Sequence, residues 1–413
     1  MPVKKLQTTC CIAGGGPAGM MLGFLLARAG IEVIVLEKHK DFFRDFRGDT
    51  IHPSTFNIMS ELGLLKQFLK VPHQEFKEMS ISVEKTTVKV ADFHHLKTAH
   101  PCLGMMPQWD FLNFLAEEAK KYPAFKLIME AEVKELIQYK GTIKGLKAHT
   151  KEGSLEIEAS LVIGADGRSS VVREEARLHV RDFHSAVDVL WFHLSKHQEE
   201  ETIPFFQVRD GRIVAMFSRD KYYQCGFVIP KNGTPALKSK GLPAFKKLVT
   251  EVIPMVTDRI DEIKSWDDIK LLTVKIDRLG QWYKPGLLCI GDAAHAMSPV
   301  GGVGINLAIQ DAVATANILY PHFKNNEPIG IEVLRKIQKR REFATAVTQR
   351  LQRFMQDNIL KKIISDKNSN RHIPLLFKLF KIFPFMHFLT ARWFGLGIRP
   401  EHIQTPDIHH KKN

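Results

Sequence analysis

The sequence lacks the features that mark several classes of protein. No apolar run approaches the roughly 20 residues that a helix needs to cross a bilayer. The five cysteines, at positions 10, 11, 102, 225 and 289, form no C-x-x-C pair and no zinc-type spacing. We therefore predict neither disulfides nor a bound metal, and a reducing, cytoplasmic location. Internal repeats and low-complexity linkers are also missing, which leaves a globular chain of 413 residues with two or three domains or one large insertion.

Positive charge is unevenly distributed along the chain. The formal net charge is +14, and residues 331–413 contain seventeen Lys and Arg against six Asp and Glu. A positively charged region of this kind attracts anionic membranes or nucleic acids. A solvated helical surface is the more common explanation for such a charge excess. No nucleic-acid-binding motif accompanies the basic region, so we predict no nucleic-acid partner. Residues 371–400 interleave basic and aromatic side chains, which is typical either of peripheral membrane contact or of helices packed on their own domain.

Residues 8–37 carry the pattern of a dinucleotide-binding βαβ unit. An apolar run leads into glycines with G-x-G-x-x-G spacing, and a second apolar run ends on Glu37. Gly14 allows the tight turn, Gly16 lets a pyrophosphate approach the backbone, and Gly19 lets helix and strand pack closely. The helix N-terminus attracts the phosphates, and the carboxylate of Glu37 accepts the ribose hydroxyls. The predicted nucleotide contacts in this unit are Gly14, Gly16, Pro17, Ala18, Gly19, Glu37 and Lys38.

Two later segments also combine a buried strand with a turn that contains an acidic residue. The first runs from Ser160 to Arg173 around Asp166, and the second runs from Gly286 to His295 around Asp292. Residues that bind one nucleotide must converge in space. The strand-rich blocks between these segments are therefore predicted to be insertions into one α/β domain.

Apolar spacing and capping residues predict three further helices. One runs from Pro53 to about Leu69, and a second runs to Tyr122 with Asp110 as its N-cap. A third is predicted between Gly241 and Ile263.

Together, the nucleotide-type segments resemble the flavin-dependent aromatic hydroxylases of the para-hydroxybenzoate hydroxylase type, which are single-component FAD monooxygenases. The resemblance covers roughly residues 8–320 in order and spacing, and Gly395 to Glu401 is similar to the end of many family members. In chain order, the residues that match the three family motifs are Gly14, Gly16, Gly19, Glu37, Asp166, Gly167, Arg173, Gly291, Asp292, Pro299, Gly301, Gly304, Asn306 and Asp311.

The resemblance implies an α/β fold with a Rossmann-type FAD-binding domain, an inserted and mostly antiparallel β-sheet substrate domain, and a helical C-terminal region. The FAD-binding domain is expected to combine residues 1–72, 101–180 and 277–330. The substrate domain is expected to combine residues 73–100 and 181–276, followed by a basic helical region at 331–413.

The family also implies roles for residues outside the first glycine turn. Arg47 corresponds to an arginine that reaches the cofactor, Gln108 to a glutamine near the ribityl chain, and Val133 to a backbone contact with adenine. Asp292 is expected to hydrogen-bond the ribityl chain, whereas Asp166 either aids FAD and NAD(P)H binding or caps a helix. Amide groups at a helix start are expected to stabilise negative charge on the reduced flavin. That turn contains Pro299, Gly301, Gly304, Ile305 and Asn306.

The reaction that the resemblance implies is an NAD(P)H-dependent hydroxylation. NAD(P)H reduces FAD, the reduced flavin forms a hydroperoxide with O2, and one oxygen atom passes to an aromatic or quinone-like small molecule. The substrate is expected between the flavin and the inserted sheet. The sequence does not show which face of that sheet meets the substrate. Candidate pocket residues are Trp191, Phe192, Met216, Tyr222, Tyr223, Gln224 and Phe227. No residue pair marks a catalytic base, and a related FAD-dependent reductase, for example of isoprenoid chains, is the alternative function.

Overall fold

The computed structural model describes residues 3–43, 49–84, 86–197, 200, 206–365, 380, 382–383 and 385–409. The strands are β1 Lys4–Ala13, β2 Val33–Leu36, β3 Thr50–Ile51, β4 Gln74–Phe76, β5 Glu78–Val83, β6 Thr86–Asp92, β7 Leu103–Met105, β8 Phe125–Ile128, β9 Glu132–Tyr139, β10 Thr142–Thr150, β11 Gly153–Gly164, β12 Val180–Asp182, β13 Val187–Ser195, β14 Phe206–Arg209, β15 Arg212–Ser218, β16 Tyr222–Pro230, β17 Lys270–Leu272, β18 Asp277–Leu279, β19 Tyr283–Lys284 and β20 Leu287–Cys289.

The α-helices are α1 Pro17–Arg28, α2 Pro53–Glu61, α3 Leu65–Phe68, α4 Gln108–Lys120, α5 Val171–Glu175, α6 Thr234–Lys238, α7 Leu242–Val252, α8 Gly304–Lys324, α9 Ile331–Met355, α10 Lys361–Ser365 and α11 Phe385–Leu396. A π-helical turn, Gln356–Leu360, connects α9 to α10. Among the described residues, the helices are all too short or too polar to span a membrane.

The first sheet is built around five parallel strands in the order β20, β11, β1, β2, β8. Strand β2 and the last four residues of β1 are buried and apolar, which is the pattern of parallel strands covered on both faces. Helix α1 packs on α8 and α4 and buries every residue from Ala18 to Ala27. The carboxyl ends of parallel strands meet at one edge, where ligands bind in open α/β sheets.

The second sheet has seven strands in the order β17, β13, β16, β15, β14, β5, β6. All of its pairings are antiparallel except that of β14 with β5. Phe192, Tyr223 and Phe227 project from one face and pack with Phe245 of α7 in a core of their own. Two smaller sheets are also present: one in the order β3, β7, β4, and one formed by the antiparallel pair β12 and β18.

The predicted fold class is confirmed, since a parallel sheet, a largely antiparallel sheet and C-terminal helices are all present. Strands β5, β6 and β13 to β17 form the second sheet, although they come from two separate parts of the chain. The boundaries of the three predicted domains stay a prediction.

Three helix predictions differ from the structure in their limits. The helix predicted from Pro53 to Leu69 is interrupted at Gly63, whose φ is +74°. Helix α4 begins before Asp110, so this residue lies in the first turn and Pro107 is the N-cap. Helix α7 ends at Val252 because proline disfavours helical geometry in the residue before it, and Pro254 follows Ile253.

Candidate active site

One large cavity, of about 850 Å³, lies along the carboxyl edge of the first sheet and extends to the second sheet. It brings together turns that are up to about 290 residues apart in the sequence. The sequence-predicted residues that line it are Gly14, Gly16, Pro17, Ala18, Glu37, Lys38, Gln108, Val133, Asp166, Asp292, Pro299, Gly301, Gly304 and Ile305. Gly19 and Asn306 lie behind the lining, and Arg47 falls outside the described residues.

The first glycine turn has the geometry that a phosphate-binding loop requires. A Cβ on Gly14, whose φ is +108°, would lie 2.3 Å from the carbonyl oxygen of Ala165. A Cβ on Gly19 would lie 2.0 Å from the carbonyl oxygen of Gly14, so both positions exclude a side chain. Gly16 has open space around the Cβ position, and no side chain caps the N-terminus of α1 there. The amide groups of this turn are therefore positioned to bind an anion from the cavity.

Glu37 follows β2 and closes the same turn. Its Oε2 accepts a hydrogen bond from the Gly15 amide at 3.1 Å. Its Oε1 accepts from the His39 amide at 3.1 Å and lies 2.5 Å from His39 Nδ1. Glu37 also lines the cavity, from which ribose hydroxyls can approach it. The contact with His39 was not predicted, because the side-chain direction after a strand end is not readable from sequence.

Asp166 follows the carboxyl end of β11, and the N-cap of α5 is Ser170 and not Asp166. Its carboxylate accepts from Ser170 Oγ at 2.5 Å and from the Val172 amide at 3.1 Å, at the start of α5. Burial raises the pKa of Asp166, and these hydrogen bonds oppose the rise. The residue also lines the cavity.

Asp292 lies on the 3₁₀ turn Gly291–Ala293 after β20, and a buried ion network supports that turn from behind. Asp311 Oδ2 accepts from the Gly291 amide at 3.1 Å and lies 2.5 Å from His295 Nε2. Arg341 Nε donates to the other oxygen of Asp311 at 2.9 Å. Burial alone would raise the pKa of Asp311, but the charges of His295 and Arg341 hold it below its ordinary value. The network leaves Asp292 facing the cavity, 3.5 Å from Arg168 Nη2.

The turn before α8 presents a second helix N-terminus to the cavity. Gly301 and Gly302 have φ values of +81° and +62°, and no side chain caps α8 at Gly304. A Cβ on Gly301 would lie 2.2 Å from Cε1 of Phe394, so helix α11 closes over this turn. Free amide groups at such a position stabilise developing negative charge.

The side chain of Asn306 points away from the cavity. Its Oδ1 accepts from the His52 amide at 3.1 Å and from Thr55 Oγ1 at 2.6 Å, and its Nδ2 donates to the Thr50 carbonyl at 3.2 Å. His52 Nδ1 lies 2.6 Å from the carbonyl oxygen of Phe394, and burial lowers the pKa of His52 to about 4. Asn306 therefore fastens the segment at 50–55 to α8.

The second sheet presents one particular face to the cavity. Trp191, Phe217 and Gln224 line it, whereas Phe192, Met216, Tyr223 and Phe227 lie in the core on the opposite face. Tyr222, which was also predicted as a pocket residue, does not line the cavity. Gly226 makes room for the Trp191 ring, because a Cβ there would lie 3.0 Å from it. The C-terminal helices supply further apolar side chains, which the sequence did not indicate: Met355, Ile359, Phe380, Trp393 and Phe394.

An ion pair that was not predicted lies between the second sheet, just after β15, and the small sheet, just before β3. Arg219 Nη2 contacts Asp49 Oδ2 and donates to Gln224 Oε1 at 3.1 Å. Asp49 Oδ1 also accepts from the Gln108 amide at 3.3 Å. Burial raises the pKa of Asp49 to about 6, which the charge of Arg219 only partly opposes.

The residues around the cavity fit FAD. A flavin dinucleotide needs a glycine turn for its pyrophosphate, an acid for its ribose and donors for its reduced ring, and the cavity supplies all three in one space. Open space at Gly16 and at Gly304 leaves both helix N-termini accessible from the cavity.

Known proteins share both the sequence pattern and the fold. A family model described as an FAD binding domain matches residues 7–351. The 6-methylpretetramide 4-monooxygenase of Streptomyces rimosus is 32% identical over 324 residues, which make up 77% of this chain and 76% of that protein. The rifampicin monooxygenase of Streptomyces venezuelae is 27% identical over 354 residues, or 78% of this chain and 69% of that protein.

Solved structures give the same result for the fold. The anhydrotetracycline hydroxylase of Streptomyces rimosus superposes with a TM-score of 0.76 at 21% identity, covering 95% of this chain and 77% of that chain. The p-nitrophenol 4-monooxygenase of Pseudomonas putida has a TM-score of 0.71 at 16% identity, covering 94% and 99%. With the match to the family model and to the monooxygenase relatives, the chain belongs to the FAD-dependent aromatic monooxygenases of the para-hydroxybenzoate hydroxylase type and is a flavoprotein oxidoreductase.

Proposed function

We propose that this chain uses NAD(P)H and O2 to transfer one oxygen atom to an aromatic or quinone-like small molecule. The observation that carries the proposal is the single cavity that joins nucleotide-type turns to an apolar sheet face. FAD supplies the redox chemistry when it is bound, and the protein binds, orients and shields the reactants. The sequence has one G-x-G-x-x-G motif, so NAD(P)H is proposed to bind transiently next to the flavin.

The proposed cofactor contacts divide between the two ends of the cavity. The turn at Gly14 to Ala18 would hold the pyrophosphate, with Glu37 at the adenosine ribose and Val133 near adenine. Asp292 and Gln108 would hold the ribityl chain, and Lys38 and Asp166 would complete the polar wall. Arg47 stays a predicted contact, and Asn306 is proposed to act by fixing residues 50–55.

The N-terminus of α8 is proposed to face the part of the flavin that becomes negative on reduction. The amides between Pro299 and Ile305 come from a turn with two left-handed glycines, and they are oriented before any ligand arrives. Preorganised donors of this kind stabilise a developing charge without reorganisation. The apolar side chains on the opposite wall would keep water away from the reacting oxygen.

The proposed substrate is a flat, largely apolar molecule with several fused or substituted rings. The wall on the second sheet combines Trp191 and Phe217, whose ring centroids are 6.0 Å apart in a stacked arrangement, with the amide of Gln224. Aromatic walls with few polar groups suit such substrates. The name of the 32% identical relative, a monooxygenase of 6-methylpretetramide, supports a polyketide-like aromatic.

A test of the proposal starts from the purified full chain. We expect bound FAD, and we expect NADH or NADPH oxidation to be stimulated by an aromatic substrate with matching O2 consumption. Under ¹⁸O2, the product should gain one labelled oxygen atom. Reduction of a substrate without O2 uptake would instead establish the reductase alternative, which the monooxygenase names of the relatives do not favour. Protein that binds no FAD would overturn both functions.

Peripheral contact with an anionic membrane is proposed as a separate property of the C-terminal region. Ile382, Phe383, Phe385, Phe388 and Leu389 are apolar and exposed, within a region that has excess positive charge. Such a surface binds anionic lipids through buried apolar area and charge attraction. We expect the chain to sediment with vesicles that contain phosphatidylserine and to leave neutral vesicles unbound.

Serine substitutions at the exposed apolar positions separate this contact from non-specific attraction. The variant Phe385→Ser with Leu389→Ser should lose vesicle binding. Leu271→Ser, which changes an equally exposed side chain on the second sheet, should keep it. Equal loss in both proteins, or no binding by the unchanged chain, would show that this surface is not a membrane contact.

A further inference from the structure

A cluster of metal-binding side chains lies beside the cavity, where β4 pairs with β7. One ligand atom from each of Glu75, His100 and Cys102 lies within 4.8 Å of the other two. Glu75 belongs to β4, and the other two residues directly precede β7, so the antiparallel pairing of these strands brings them together. None of the three lines the cavity, so the cluster is distinct from the flavin site.

A fourth side chain, His73, points at the same carboxylate. Its Nε2 lies 3.2 Å from Glu75 Oε1, and His100 Nε2 lies 2.8 Å from that same oxygen. His73 Nδ1 lies 2.6 Å from the carbonyl oxygen of Val71, so Nδ1 carries a proton and, in a neutral ring, Nε2 presents a lone pair. The two contacts hold the His73 ring next to Glu75.

Among the described residues, Glu75 is paired with the histidine rings of His73 and His100 and not with a Lys or Arg side chain. A second group, formed by Glu78, Asp92 and His94, differs in this respect. Lys89 Nζ lies 2.6 Å from Glu78 Oε1 and 3.2 Å from Asp92 Oδ2, so an ammonium group already neutralises that site.

We propose that Glu75, His100 and Cys102 bind one Zn²⁺ ion, with His73 next to Glu75 outside the ligand set. A mixture of imidazole, thiolate and carboxylate suits zinc, which binds such ligands at about 2.0–2.3 Å. The prediction of no metal in the sequence analysis considered only how the cysteines are spaced along the chain. These ligands instead come from two paired strands.

Zinc binding at this cluster has a definite consequence for the cavity. It would fasten the segment before β7 to β4, and the next residues, Leu103 and Met105, line the cavity.

The test uses the full chain with FAD bound. After exhaustive dialysis against a chelator, the protein is titrated with Zn²⁺ in competition with a chromophoric chelator. We expect one zinc ion per chain, and a cobalt(II) form with a thiolate-to-metal absorption band in the difference spectrum. The variants Cys102→Ser and His100→Ala should each bind zinc at least about 10–100-fold more weakly, because even loss of an outer-shell partner costs that much. The FAD absorbance and thermal unfolding show whether each variant is folded.

His94→Ala provides the matched control, because it removes a histidine from the group that Lys89 occupies. This variant should bind zinc as the unchanged chain does. The proposal is wrong if the Cys102 and His100 variants bind zinc as tightly as the unchanged chain does. It is also wrong if His94→Ala weakens zinc binding as much as those variants do. The lack of any binding at one ion per chain would overturn it as well.

Discussion

Arg219 of the second sheet and Asp49, which precedes β3, form an ion pair in which both side chains are less than one-tenth exposed. The pair reaches both walls of the cavity, because Arg219 also donates to Gln224 and Asp49 also accepts from the Gln108 amide. Breaking a buried pair from one side leaves a charge without compensation. This contact therefore couples the second sheet to the small sheet that contains β3.

Arg219→Met should lower the free energy of unfolding by about 3–5 kcal/mol at neutral pH, because Asp49 then stays buried without its cation. Urea unfolding measures the change. Adding Asp49→Leu to the same protein should recover most of the loss, since two apolar groups replace the pair. If Arg219→Met is as stable as the unchanged chain, the two sheets are not coupled in this way.

Asp49 should also make stability depend on pH. Burial raises its pKa from 3.8 to about 6, so the native state keeps a proton that the unfolded chain has lost between these values. The stabilisation is complete below the lower value and is lost as the pH rises through the upper one. Relative to Asp49→Asn, the unchanged chain should lose up to about 3 kcal/mol between about pH 4 and about pH 6. Urea titrations of both proteins at each pH measure this difference. If the difference in unfolding free energy between the two proteins stays constant across the pH range, the prediction is wrong.

Gly16→Val should weaken FAD binding without preventing folding. The Cβ position of Gly16 is open, and the added side chain would occupy the space proposed for the pyrophosphate. Losing one or two charge-assisted hydrogen bonds costs about 1.5–3 kcal/mol each, which corresponds to at least about a tenfold loss of affinity.

Gly330→Val is the control for this substitution. Gly330 is also an extended N-cap with open space, at the start of α9, and it does not line the cavity. FAD affinity is measured by flavin fluorescence quenching, and only the Gly16 variant should lose it. A similar loss in both variants would mean that the effect comes from the helix start and not from the phosphate site.

Arg341→Met should destabilise the chain far more than removal of an exposed charge. Arg341 contacts Asp311 at 2.9 Å and Glu401 at 3.1 Å, and its side chain is 1% exposed. Leaving these carboxylates unpaired should cost about 3–5 kcal/mol. Lys120→Met removes an exposed partner of Glu117 and should cost less than about 1 kcal/mol. Thermal and urea unfolding should rank the two variants in this order, and similar losses would argue against the buried network.

The sequence was sufficient for the fold class and for the local geometry of the first turn. Gly14, Gly16 and Gly19 follow spacing rules that operate within about ten residues, so their steric roles could be predicted. The partnership of Asp49 with Arg219 could not, because 170 positions separate them and neither differs locally from a surface charge.

The sequence also could not show which face of the second sheet lines the cavity. Strand alternation separates Tyr223 from Gln224, but it does not reveal which face a helix covers. The packing of Phe245 from α7 against Phe227, in the same core as Tyr223, shows that Gln224 lies on the other face, towards the cavity. Contacts between distant elements therefore decided the pocket, as they did for the side chains from the C-terminal helices.

The contact between Phe394 and Gly301 determines when this part of the cavity can form during synthesis. Gly14 leaves the ribosome long before Phe394, and the wall over the turn before α8 is complete only after residue 394 has emerged and docked. A growing chain can form the first glycine turn early, but it cannot yet close this part of the cavity. The complete cavity wall therefore forms only after α11 has been synthesised.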